Sequence, residues 1–473
     1  ITFGVNFNQS LEETHLPNGL RTLILGEMFN QSLDRVTLPS SLQSLTFGSC
    51  FNRSLDGVTF PDGLQMLTFG RLFNQSLNRL TLPMGLQSLT FGISFNQSLD
   101  EVCLPAGLKN LTFGGMFNKS LDRVALPEGL QCLTFGDSFN QSLSRLTLPV
   151  GLQSLKFGEM FNQGLDQLTL PDGLRSLTFG NSFNQSPCGL TLPHGLLSLS
   201  CGNSFNQSLD EVILPSSLQS LTLGYMFDLS LNRLTLPNGL QSLTFSTSFN
   251  YSLQEVTWPC SLRSLTFGQM FNQSLNGLTL PSLENLTLGS NFNQSLDEVA
   301  LPHGLRSLTL GQMFNQNLDR LVWPKGLQSL KFGEMFNQSL DQVTLPSLRS
   351  LTFGAFFDQS LDNVILPKSL QSLTFGTAFN RSLDRETLPH GLQNLIFGEM
   401  FDQNLDQVTL PESLQSLTFG SNFRKSLDLV HLPDGLHRLT FCSSRFTPHL
   451  DEAKMPVHLK ELSGQGLVMS SEP

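Results

Sequence analysis

Residues 29–50 read FNQSLDRVTLPSSLQSLTFGSC, and this stretch decides the fold. Its apolar residues are Phe29, Leu33, Val36, Leu38, Leu42, Leu45 and Phe47. Val36-Thr37-Leu38 and Leu45-Thr46-Phe47 each alternate with period two, the pattern of a half-buried strand. Pro39 closes the first of these strands, since it has no N–H to donate to a ladder. Gly48 follows the second, where a turn with positive φ is expected. Such punctuation leaves no room for a helix.

The same letters recur on both sides of this stretch. Anchor phenylalanines run from Phe7 through Phe29 and Phe51 to Phe423, twenty in all, at a step of 22 residues. Two steps of 21, Phe271 to Phe292 and Phe336 to Phe357, fall where Leu-Pro-x-Gly-Leu shortens to Leu-Pro-Ser-Leu, so both deletions lie in a turn. A fixed period of this length predicts stacked coils. The expectation is an all-β solenoid of about 20–21 coils of 22 residues with two short strands per coil. Stacking at ~4.8 Å turns each consensus letter into a column. The core becomes a ladder of Phe, Leu and Val, and the Asn column (Asn8, Asn30, Asn52) becomes a corner where side-chain amides hydrogen-bond along the stack. If those amides are so engaged, the repeated Asn-Gln-Ser sequons reflect repeat geometry rather than glycosylation.

The pattern F-N-Q-S-L followed by L-P-x-G-L-x-x-L-x-F-G resembles the FNIP repeat, a leucine-rich-repeat relative. In phase it is also similar to the BspA-like leucine-rich repeats, through Phe29, Leu33, Val36, Leu38, Pro39, Leu42, Leu45 and Gly48. The resemblance covers residues 1 to about 442. It implies a right-handed leucine-rich-repeat-like solenoid used for protein–protein contact, joined in some FNIP proteins to an F-box or other module and found at cell surfaces in the BspA-like group. Ser32 departs from FNIP usage, where Pro is common.

The domain expectation is a solenoid over 1–442 that starts in mid-repeat, since Ile1-Thr2-Phe3-Gly4 reads as a closing strand. A degenerate C-terminal capping coil is expected over 443–462 and a flexible tail over 463–473.

Composition narrows the function. The 473 residues include 39 Phe but only 2 Tyr and 2 Trp, and 14% are charged, which fits one short pattern copied many times. The net charge of −11, with no Lys/Arg cluster, argues against nucleic acid. No apolar run approaches the ~18 residues of a membrane span, so no membrane insertion is expected. Cys50, Cys103, Cys132, Cys188, Cys201, Cys260 and Cys442 occupy different phases, which reads as free thiols and leans towards an intracellular location. No His or Cys spacing suits a metal, no catalytic motif appears, and repeated columns offer no unique constellation, so neither cofactor nor enzymatic activity is expected.

Two exposed columns carry charge. Asp34, Asp56, Asp100 and their equivalents share one phase, and stacked carboxylates would repel unless turn N–H groups or bound cations compensate. One residue further on, the copies differ and mix signs: Arg35, Arg79, Glu101, Arg123, Arg145, Glu211, Arg233, Glu255, Glu298, Arg320 and Arg385. This is the candidate interaction stripe, read either as relief of the Asp column or as a surface that recognises a protein partner. The second strand is monotonous, as in Ser44-Leu45-Thr46 and Ser88-Leu89-Thr90. The function expected is a non-enzymatic protein–protein interaction scaffold. The alternatives are an extracellular adhesion or surface repeat protein and, as a minor one, an ice- or mineral-binding Ser/Thr array.

Overall fold

The computed structural model describes residues 1–280, 282–383, 388–442, 456, 458–464 and 467–468. Twenty strands of three or four residues recur at the repeat spacing from Thr22–Ile24 to Arg438–Phe441, and no helix occurs among the described residues. The chain divides into two compact units, Ile1–Leu240 and Gln241–Pro473. In each unit successive strands pair parallel and in register, as in Ser44↔Met66, Leu45↔Leu67 and Thr46↔Thr68 in the first and Ser264↔Asn285, Leu265↔Leu286 and Thr266↔Thr287 in the second. Register is enforced by the central leucine of each strand. A slip of one residue would turn a whole Leu column to solvent.

Each coil has one ladder strand, not the two expected. The segment Val36-Thr37-Leu38 forms no ladder because turns close in from both sides. Val36 N–H donates to the Leu33 carbonyl at 3.0 Å and Leu42 N–H to the Pro39 carbonyl at 3.0 Å. Period-two burial survives (Val36 and Leu38 are buried, Thr37 exposed) without inter-coil hydrogen bonds. The deletions do lie in the second turn. Where most coils close it over four residues, Leu348 N–H reaches the Pro346 carbonyl at 2.7 Å across three.

The core consists of columns. Anchor rings stack coil on coil with centroids 6.1 Å apart for Phe29 and Phe51, and the strand-closing ring Phe47 lies 4.1 Å from Phe51. Strand-closing rings are closer to one another, 5.4 Å for Phe47 and Phe69 and 5.9 Å for Phe91 and Phe113. At the corner, Asn30 N–H donates to Asn8 Oδ1 at 2.8 Å, and Gln31 Nε2 donates to the same oxygen at 3.0 Å. The Asn ladder therefore runs from side chain to backbone, one coil to the next.

The glycine column has a different cause from the one expected. Gly48 and its equivalents do not have positive φ; among the described residues only Gly189 and Gly277 do. A Cβ at Gly48 would overlap the carbonyl oxygen of Gly26, and the same holds for each later member of the column against the residue one coil before it. Close backbone approach excludes a side chain. Ser246, in the first coil of the second unit, is buried and its Oγ accepts the Phe249 N–H at 3.0 Å.

Of the capping coil expected over 443–462, residues 443–455 and 457 lie outside the described residues. The next rung of the ladder is Glu461–Gly464, parallel to Arg438–Phe441, so the ladder runs past 462. Within the segment expected to be a flexible tail, Leu467–Val468 returns antiparallel to that rung.

Candidate interaction surface

Three exposed columns could meet a partner. The first is the charged stripe. Its members follow the Asp column, whose turn is built by the serine two residues earlier: Ser32 Oγ accepts the Asp34 N–H at 3.1 Å, and Ser98 Oγ that of Asp100 at 3.1 Å. The Asp side chain is therefore not the turn-maker. Among the described residues, no group of three or more His, Cys, Asp or Glu could hold a metal.

At Gly57, Glu101 and Glu298 the stripe position sits against the Asp-phase residue of the coil before it. A Cβ at Gly57 would lie 3.5 Å from that of Asp34. Asn78 Nδ2 donates to Glu101 Oε2 at 3.0 Å, and Asn276 Nδ2 to Glu298 Oε2 at 3.1 Å. The sequence obeys this neighbourhood. Arg35, Arg79, Arg123, Arg145, Arg233, Arg320 and Arg385 each stand 23 residues after an acidic residue: Glu12, Asp56, Asp100, Asp122, Asp210, Asp297 and Asp362. Glu101, Glu211, Glu255 and Glu298 instead follow Asn78, Cys188, Asn232 and Asn276. Arg385 lies outside the described residues. Each Arg of the stripe thus follows an acid and each Glu an uncharged residue, while Asp34, Asp166, Asp319 and Asp341 are followed by the uncharged Gly57, Gly189, Gln342 and Asn363. At the Asn corner, where Asp358 and Asp402 replace Asn, the next coil supplies Arg381, 2.9 Å from Asp358, and Lys425, 4.0 Å from Asp402, whereas after Asp228 it supplies Tyr251.

The second column precedes each anchor Phe. Eight of the twelve methionines share this phase: Met28, Met116, Met160, Met226, Met270, Met313, Met335 and Met400. The backbone there is fixed, since Met160 N–H donates to the Asp137 carbonyl at 2.7 Å. The side chains are nevertheless between 39% and 57% exposed, and Phe356, in the same phase, is 54% exposed. Some thioethers touch the next coil: Asn291 Nδ2 lies 3.3 Å from Met270 Sδ, and Cys50 Sγ 3.8 Å from Met28 Sδ. The expected stripe did not include this column. Sorting methionine by phase, rather than by number, would have found it.

The third is the outward face of the ladder, lined by columns such as Ser44 and Thr46, with Lys156 and Lys331 in place of Thr. In the first unit an open groove of about 760 Å³ runs beside it, lined among others by Arg71, Thr134, Asp137, Lys156 and Glu159.

The FNIP Repeat family model matches residues 7–50 and continues in further matches to 401–444. The chain belongs to the FNIP repeat family. The solved structure of CroV588, described as a novel circular LRR protein, is 38% identical, with a TM-score of 0.82 over 98% of this chain and 75% of that one. An internalin (inlF) of Listeria monocytogenes is 17% identical, with a TM-score of 0.39 over 70% of this chain and 84% of that one. YopM of Yersinia enterocolitica is 17% identical, with a TM-score of 0.36 over 95% and 83%. No curated protein matches this FNIP chain significantly. The FNIP repeats account for the leucine-rich-repeat-like solenoid, and no helix among the described residues is long and apolar enough to cross a membrane.

Proposed function

We propose that this FNIP protein is a non-enzymatic protein-recognition scaffold whose contact edge is the methionine column. The observation that carries this reading is the gathering of eight of twelve methionines, each about half exposed, into one phase. Thioether side chains are apolar, polarisable and conformationally adaptable, which suits them to protein contact. Aligned exposed apolar groups favour burial against a partner. The charged stripe is the weaker candidate, because its signs follow from the coil beneath. A water-ordering hydroxyl array is also disfavoured, since Lys156 and Lys331 interrupt the Thr column.

The test is a variant carrying M313S, M335S, F356S and M400S. Serine already occupies this phase at Ser94, Ser138, Ser182 and Ser204, so the coils should fold unchanged. Proteins that co-purify with the wild type at stoichiometric yield should be lost from the variant while its circular dichroism and Tm are retained. Retention of the same partners by the folded variant would refute the reading.

A further inference from the structure

The outward face of the ladder carries a charge opposite to that of the molecule. Take, for each of the twenty strands from Thr22–Ile24 to Arg438–Phe441, the first and third residues and the one just before the strand. These positions hold nine Lys or Arg and a single acid, Glu284, in a chain with 27 basic and 38 acidic residues. That one acid is itself paired with Arg263 and lies 3.8 Å from Arg306. The carboxylates lie elsewhere, in the Asp, stripe and turn columns.

A cassette is repeated within this face. Residues 151–180 and 326–354 are identical at 26 of 29 aligned positions, and each contains a strand Lys followed one coil later by an Arg: Lys156 with Arg175, and Lys331 with Arg349. The two lysines are the only departures to a charged residue in the Thr column. Each lies in register beside a hydroxyl, Lys156↔Thr178 and Lys331↔Thr352. Both are exposed, and among the described residues neither has a carboxylate within 4.0 Å. Arg175 Nη1 is held on the Gly195 carbonyl at 3.0 Å, which fixes its cation beside the face.

We propose that in each unit this face binds an extended acidic polypeptide segment, with Lys156 as the principal carboxylate contact in the first unit and Lys331 in the second. The partner's charge follows from complementarity: an acidic chain is attracted here and repelled by the other columns. A polypeptide fits better than a nucleic acid. The face has no Phe, Tyr or Trp on which bases could stack. Serine and threonine hydroxyls at coil spacing supply partners for peptide amides between the discrete carboxylates.

The probe is a fluorescein-labelled decaglutamate peptide, with decaglutamine and a ten-nucleotide oligothymidylate as comparisons, measured by fluorescence anisotropy on the full chain. Decaglutamate should bind, decaglutamine should not, and the affinity should fall about tenfold or more between low and high salt. K156T/K331T restores the column consensus and so preserves folding; it should weaken decaglutamate binding about tenfold, with an unchanged Tm. The M313S/M335S/F356S/M400S variant should bind the peptide as the wild type does, which separates this face from the methionine column. Absence of decaglutamate binding, equal binding by K156T/K331T, or oligothymidylate binding as tight as decaglutamate would each overturn the proposal.

Discussion

At Gly158 a Cβ would overlap the Gly136 carbonyl oxygen, whereas at Gly19 it would meet nothing within 4 Å. The same Gly→Ala change should therefore have opposite consequences at the two sites. Gly158→Ala is expected to destabilise by about 3 kcal/mol, because backbone rather than a flexible side chain must move. Gly19→Ala should stay within about 0.5 kcal/mol of wild type. Urea denaturation of the two variants checks both. Cys201 gives a second residue-scale prediction. It is buried in the strand-closing column that Phe fills in most coils, and burial pushes its thiol pKa from 9.0 up to about 12. The folded state therefore holds the thiol neutral after the unfolded chain has begun to ionise. This contribution is fully present below about pH 9 and is lost as pH rises towards about 12, on the order of 4 kcal/mol across that window. Cys201→Ala should flatten the alkaline arm of the stability–pH curve; an unchanged slope would contradict the assignment.

At the scale of the coil, stability rests on neighbours. An anchor such as Phe161 is fully buried between Phe139 and Phe183, with ring centroids 6.0 and 6.1 Å away. Phe161→Ala should cost about 3–5 kcal/mol by leaving a cavity that two adjacent coils share. The charge columns make a subtler prediction. Asn78→Asp places a carboxylate beneath Glu101 and should destabilise by a few tenths of a kcal/mol, and adding Glu101→Arg should recover the loss. The cycle should show a favourable coupling that shrinks in high salt. A coupling of zero would leave the alternation of signs along the stripe without an energetic basis. These columns also show what was legible beforehand. The Phe, Leu, Asn and Gly phases were visible in the sequence because stacking makes every coil meet the same environment. The loss of the first strand was not, since alternation reports burial and not hydrogen bonding, and the turns at Leu33–Val36 and Pro39–Leu42 take up the backbone instead.

At the scale of the whole molecule, a solenoid is only as stable locally as its weakest coil. In the first unit that coil is 183–204, where Pro187 replaces a core Leu and Cys201 a Phe. An apolar cavity of about 20 Å³ lies among Phe179, Phe183, Leu199 and Cys201. Amide hydrogen exchange should show a protection minimum at Ser198–Ser200 relative to the strands over residues 110–178. Cys201→Phe should remove it, and uniform protection across these strands would contradict the weak coil.

Sequence alone determined the period, the all-β class, the membership of each core column and the site of both deletions, because one repeated environment imposes one repeated residue. It also held the pairing of charges 22–23 residues apart, but nothing in the order of letters says which columns touch. Only the tertiary structure decided that. By stacking the stripe of one coil on the Asp column of the coil before, it brought Glu101 onto Asn78 and Glu298 onto Asn276. By closing the backbone at the glycine column, it showed contact rather than φ to be the constraint. By leaving eight methionines of one phase outside the core and Lys156 and Lys331 exposed on the ladder face, it gave both an exposure that hydrophobicity and charge counts do not record.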